Sequence, residues 1–139
     1  MKVVKKLLAP VLVIGLLLTS LVTLHNLKDA KKDNVFRIGI SQYITHKSLD
    51  ATRKGFIEEL KKEGYVDGKN IQIDFQNAQG EQRNLKNISK QLAEESDLVF
   101  AIATPSAQSL ANTTKSTPIV FSAVTDPLAA KLVKNLKEP

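Results

Sequence analysis

The sequence has no cysteine and only two histidines in 139 residues. Lipoprotein processing needs a cysteine at the cleavage point, so it is excluded, and the absence fits an exported bacterial chain. From Val35 onward His46 is the single histidine, so no His/Cys metal site can form around it. It reads instead as a solvated residue or part of a helix N-terminal turn. Several chemical signatures are missing as well. No G-x-S-x-G nucleophile elbow is present. "GISQYITH" offers one glycine where the dinucleotide fingerprint requires three. There is no P-loop, and "FAIATP" carries no aspartate for a phospho-receiver site. These absences point to binding without catalysis: not an enzyme, with no cofactor and no metal. Acidic residues are also absent between Asp97 and Asp126, and that gap bears on the candidate site.

What the chain does have begins with an apolar run. Lys2, Lys5 and Lys6 precede 18 uncharged residues, Leu7 to Leu24, at the low edge of a bilayer span. No small-x-small cleavage site stands clearly after it. The sequence therefore predicts a signal-anchor over 1–24, with a cleaved signal peptide as runner-up. A polar linker, "HNLKDAKKDN", covers 25–34, and one domain occupies 35–139. Three lysines flank the span on each side, so the positive-inside rule gives no orientation. An N-terminal span before a folded domain most often exports it. The expected location is the cell membrane with the domain extracytoplasmic, or secretion if the segment is cleaved.

The net charge of +6 is mostly anchor and linker: residues 1–34 carry +4 and residues 35–139 carry +2. Lysines near a membrane surface account for it. With no aromatic–basic interleaving, zinc or helix-turn-helix pattern, nucleic acid is not an expected partner.

From Val35 the pattern alternates between strands and helices. "VFRIGIS" (35–41), "NIQIDFQ" (70–76), "LVFAIA" (98–103) and "PIVFSAV" (118–124) read as strands. Between them, Leu49, Phe56, Ile57 and Leu60 recur at helical spacing, with Gly64 as a C-terminal stop. Leu85, Ile88 and Leu92 form a second stripe, and a third helix runs from Pro105 through Ala107, Leu110 and Ala111. "PLAAKLVKNL" is expected to start a fourth helix. Gly55, inside the first helix, is expected to permit close helix–sheet packing. The fold class is α/β, a parallel sheet with alternating helices and right-handed crossovers.

Open α/β sheets bind ligands at the carboxyl ends of their strands, where the strand order reverses. In the order 2-1-3-4 the segments emptying there are "SQYITH" (41–46) and "ATPSAQ" (103–108). Ser41 and Gln42 offer neutral hydrogen bonds. Thr104 is a good N-cap, Pro105 suits the first helical position, and Ser106 adds a hydroxyl beside free helix amides. With no acid nearby, this corner suits a carboxylate or another small anion. Thr125 and Asp126 stand on the same rim, and Asp126 either receives an ammonium group or caps the helix opened by Pro127. Each feature has a plainer reading, as a normal helix start or a cap. Tyr43 is either a stacking residue or an ordinary loop tyrosine.

Together the blocks "GISQ.ITH..LD..RKGF", "GY.DGKNI.ID.QNAQG", "AIATP.AQ.LAN.T" and "PIVF.AVTDP" are specific. From about Arg37 to the C-terminus the chain resembles ABC-transporter substrate-binding proteins of the aromatic-amino-acid (tryptophan or tyrosine) subgroup, with the type I periplasmic-binding-protein fold. The resemblance implies two lobes that close on a small solute and hand it to a membrane permease driven by an ATPase. It also implies an amino acid's α-carboxylate on the amides and hydroxyls of Thr104 to Ala107. Ser41 and Gln42 would line the same cleft, with Thr125 and Asp126 on its rim. Members commonly carry a cleaved or lipid-anchored leader and run to roughly twice this length by the usual domain scale. The chain is therefore expected to be a truncated N-terminal lobe. The competing reading is a membrane-tethered single-lobe interaction module that binds no solute. A Rossmann-like enzyme is disfavoured by the missing motifs.

Overall fold

The structure is a computed structural model that describes residues 35–137. The predicted anchor (1–24) and linker (25–34) lie outside the described residues. Among the described residues, no helix is long and apolar enough to cross a membrane.

Four strands, β1 (Phe36–Gln42), β2 (Ile71–Asn77), β3 (Leu98–Ile102) and β4 (Ile119–Ser122), form one sheet in the order β2-β1-β3-β4. Every pairing is parallel: Ile38 stands opposite both Ile73 and Leu98, and Ala101 stands opposite Phe121. The crossovers are α1 (Lys47–Lys62), α2 (Gln82–Glu95) and α3 (Thr104–Thr113). Because strand side chains alternate between faces, β1 serves both layers. Ile38 and Ile40 pack with Ile71, Phe100 and Ile102 beneath Leu49, Phe56, Ile57 and Leu60 of α1. Phe56 stacks on Phe100 with ring centroids 4.1 Å apart. On the opposite face Val99 and Ala101 pack with Leu85, Ile88 and Leu92 of α2 and with Ala107 and Leu110 of α3.

Two glycines explain how these layers meet. Gly64 has φ +89; its N–H donates to the Lys61 carbonyl and the Tyr65 N–H to the Leu60 carbonyl, a Schellman closure of α1. Gly39 lies under α2: a Cβ there would come within 2.7 Å of Ser96 Oγ and 3.2 Å of Leu92. The close-approach role expected of Gly55 thus belongs to Gly39. Gly55 is exposed, with open space where its Cβ would be.

The fourth helix is not formed. Residues 127–132 make turns, with the Ala130 N–H on the Asp126 carbonyl and the Leu132 N–H on the Pro127 carbonyl. Lys131 then adopts φ 57, which ends any helical progression. Leu132 still packs against the α2–α3 side of the core. The apolar spacing there thus serves a folded turn and not a helix.

Candidate functional site

β1 leads into α1 on one face of the sheet, and β3 leads into α3 on the other. The chain therefore splits apart between the carboxyl ends of two neighbouring strands, the position at which open α/β sheets form a ligand crevice.

The β3–α3 junction turns sharply at Ala103, whose φ 79 and ψ 154 lie in a region that essentially only glycine visits freely. It is held there from both sides. Its N–H donates to the Ser122 carbonyl of β4 at 3.0 Å, and its carbonyl accepts from the Ala107 N–H at 3.2 Å. Ala103 thus occupies the cap position with no side-chain cap, and helix α3 begins at Thr104. Thr104 is not the N-cap: its Oγ1 accepts a long bond from the Thr125 N–H at 3.4 Å and ties the junction to the segment after β4. Pro105 stands in the first turn as expected and contributes no N–H. With Ala107 engaged, the first-turn amides left without an intramolecular bond are those of Thr104, which is half-buried, and Ser106, which is fully buried. No acidic side chain occupies this turn, so the positive end of the helix is uncompensated by protein charge.

Two hydroxyls beside this corner are buried without partners. Ser106 Oγ and Ser41 Oγ, in fully buried residues, make no hydrogen bond. Ser41 stands opposite Ala101 in β3, so it faces the α2–α3 layer, where Ala107 is also buried. Buried hydroxyls are almost always bonded, and two orphans at one end of one layer require an explanation.

Gln42 is placed differently. It is fully buried and points to the α1 side, where its amide is consumed internally. Nε2 donates to the Ile44 carbonyl at 2.9 Å and to Asp50 Oδ1 at 2.8 Å, while Oε1 accepts from Arg53 Nε at 3.3 Å. Arg53 in turn lies 4.1 Å over the Phe75 ring. The structure therefore uses Gln42 as a strut for the β1–α1 loop. That loop is also stitched to the one after β2. The Tyr43 carbonyl accepts from the Gly80 N–H, and the Tyr43 hydroxyl donates to the Gly80 carbonyl, both at 2.8 Å. Asn77 Nδ2 donates to Thr45 Oγ1 at 3.0 Å. His46 is exposed and caps α1, its Nδ1 accepting from the Ser48 N–H at 3.3 Å.

On the rim after β4, Thr125 and Asp126 are exposed. Asp126 Oδ1 accepts from the N–H groups of Leu128 and Ala129, both at 2.9 Å, so it caps the turn that replaces the expected helix. The junction thus gathers Ser41, Thr104, Ser106, Ala107, Thr125 and Asp126 at one end of the sheet, while Gln42 supports that end from the other face. Sequence reasoning missed the strained Ala103 and the Asp50–Arg53 pair that immobilises Gln42. The i, i+3 spacing of Asp50 and Arg53 on α1 was the available signal for that pair. Among the described residues, no group of His, Asp or Glu is placed to hold a metal ion. An apolar groove of about 470 Å³, lined by Phe36, Phe56, Leu60, Tyr65 and Val120, lies at the opposite, amino-terminal ends of the strands.

Residues 37–139 match the family model described as ABC transporter substrate binding protein. Over 112 residues the chain is 52% identical to a tyrosine-binding protein of Clostridioides difficile (strain R20291), covering 80% of this chain and 32% of that protein. Among solved structures it is similar to a ligand-free, open substrate-binding protein with adhesive properties from Clostridium difficile. That match has a TM-score of 0.72 and 52% identity, over 73% of this chain and 35% of the other. It is also similar to an ABC domain in complex with L-Trp from Streptococcus pneumonia, with a TM-score of 0.72 and 46% identity, over 76% and 36% of the two chains. The chain spans about a third of the length of these relatives. The family match over residues 37–139, on a parallel sheet of order β2-β1-β3-β4, shows that this chain belongs to the ABC transporter substrate-binding proteins.

Proposed function

We propose that this chain binds the α-carboxylate of an aromatic amino acid at the β3–α3 junction, as part of the extracytoplasmic solute-binding component of an ABC importer. The observation that carries the reading is the pair of unbonded first-turn amides, Thr104 and Ser106, beside a buried, unpartnered Ser106 hydroxyl in a turn free of acid. A helix N-terminus binds anions through oriented N–H groups and the dipole, and a carboxylate brings oxygens that such donors lack. Ser41, behind the same corner, supplies a second hydroxyl, and Thr125 and Asp126 form the polar rim facing the solute's ammonium group. Tyrosine and tryptophan, named for the relatives above, meet these requirements at one end and present a large apolar body at the other. The partners of this reading are a membrane permease and its ATPase, with the membrane reached through the N-terminal apolar segment.

Calorimetric titration of the full chain tests the reading. L-tyrosine or L-tryptophan is expected to bind. Tyramine and tryptamine, which lack the carboxylate, are expected to bind at least about tenfold more weakly, as the loss of a charge-assisted hydrogen bond requires. Thr104→Val with Ser106→Ala is expected to abolish the heat. Equal affinity for the amines and the amino acids overturns the carboxylate site.

A further inference from the structure

The residue that opens α3 is alanine, in a place where helices prefer a side-chain oxygen. At the cap position serine, threonine, aspartate and asparagine turn that oxygen back onto the amide two or three residues on. Two residues on from Ala103 stands Pro105, which has no N–H, so the one amide such an oxygen could meet is that of Ser106. Ala103 offers it nothing. Ser106 is fully buried, and neither its N–H nor its hydroxyl is bonded. Buried backbone amides are rarely left so, and the absent cap leaves a donor for another group to satisfy.

The unusual φ of Ala103 does not stand in the way of a cap. Rotation about φ sets the direction from which β3 arrives, whereas ψ sets where the side chain stands relative to the helix that follows. At ψ 154 the Cβ of Ala103 has the extended setting of an ordinary cap residue. The backbone is held there by the Ser122 carbonyl on one side and the Ala107 N–H on the other. A polar side chain would therefore start from the right place, and the methyl group lacks only the acceptor. Neighbouring groups do not replace it. The Thr104 hydroxyl accepts from the Thr125 N–H, and Asp126 accepts from Leu128 and Ala129.

We infer that Ala103 is a positioning residue of the anion corner: standing at the cap without an oxygen, it reserves the Ser106 N–H for the solute's carboxylate. This rests on the proposed binding of an amino-acid carboxylate at the β3–α3 junction. A cap supplied by the chain itself would compete with that carboxylate from within, at the high effective concentration of a tethered group.

The test sets melting temperature against calorimetric affinity for L-tyrosine in the full chain and in Ala103→Asp, Ala103→Ser and Ala103→Gly. Without ligand, the new cap in Ala103→Asp and Ala103→Ser is expected to raise the melting temperature by about 4–5 °C. Both variants are expected to bind L-tyrosine at least about tenfold more weakly, the cost of one lost charge-assisted hydrogen bond. Ala103→Gly, the conservative variant, suits a φ of 79 and adds no oxygen, and it is expected to keep the affinity. Rising stability with falling affinity separates a filled site from a damaged one, and Ala103→Ser, the milder change, decides where the two capped variants differ. The role is overturned if the capped variants fail to melt higher, if they bind L-tyrosine as tightly as the unaltered chain, or if Ala103→Gly loses affinity as they do. The carboxylate site stands in each of these cases. If the unaltered chain binds neither L-tyrosine nor L-tryptophan, the reading beneath fails, and the role of Ala103 with it.

Discussion

Replacing Ser106 by alanine should make the protein more stable and a poorer binder at once. The Ser106 side chain is fully buried and its hydroxyl has no partner. Burying a hydroxyl without a compensating hydrogen bond costs about 1–3 kcal/mol on protein scales. Alanine removes that cost and is also the better helix former, while leaving a void the size of one oxygen. The net expectation is a gain of about 1 kcal/mol. For a domain of about 100 residues, that raises the melting temperature by about 4–5 °C. A bound solute reverses the order. At a ligand concentration of one hundred times Kd the unaltered chain gains about 2.7 kcal/mol, and the variant forfeits most of this because a donor to the carboxylate is gone. Thermal melts of both chains with and without L-tyrosine read all four states. A Ser106→Ala variant that melts several degrees below the unaltered chain without ligand would show that the hydroxyl is already satisfied in the folded protein. The physical basis of the site would then be lost.

The two glycines of the first βα unit should respond in opposite directions. Gly55→Ala is expected to stabilise by about 0.5–1 kcal/mol through helix propensity, since nothing lies near the added methyl. Gly39→Ala is expected to cost about 1–3 kcal/mol, because it forces Ser96 and Leu92 of α2 away from the sheet; urea denaturation of both variants checks the pair. Gln42→Ala should destabilise by about 1–3 kcal/mol, because the Ile44 carbonyl, Asp50 and Arg53 all lose their common partner. Its amide hydrogen exchange should quicken first in residues 43–46. His46→Ala removes the α1 cap and is expected to cost about 0.5–2 kcal/mol in the same denaturation assay.

The sheet was legible because its determinants are local. The β-branched runs at Val35, Ile71 and Val99, the stripe of Leu85, Ile88 and Leu92, and the glycine closing α1 each act within a few residues. The order β2-β1-β3-β4 is the common one for an open α/β sheet, which right-handed crossovers allow without dictating it. The fourth helix was misread for a physical reason. Leu128, Leu132 and Val133 have apolar spacing, but Asp126 caps a turn and Lys131 takes a positive φ, and periodicity reports neither. Thr104 likewise has the composition of an N-cap. What displaces it is the pinning of Ala103 between Ser122 and Ala107, one contact to a neighbouring strand and one within the turn. Gln42 was legible as a polar residue at the switch point. Which face it served was not, because Asp50 and Arg53 reach it only after α1 has docked. The close approach fell at Gly39 and not at Gly55 on the same ground: which glycine lies under a neighbouring layer is settled only when that layer is in place.

The most direct test reads the two amides themselves. In ¹⁵N-resolved NMR of the full chain, adding L-tyrosine should shift the Thr104 and Ser106 N–H resonances downfield as they donate to a carboxylate, and tyramine at the same concentration should leave both in place. If L-tyrosine binds while these two resonances stay where they were, the anion is held elsewhere and the account is contradicted.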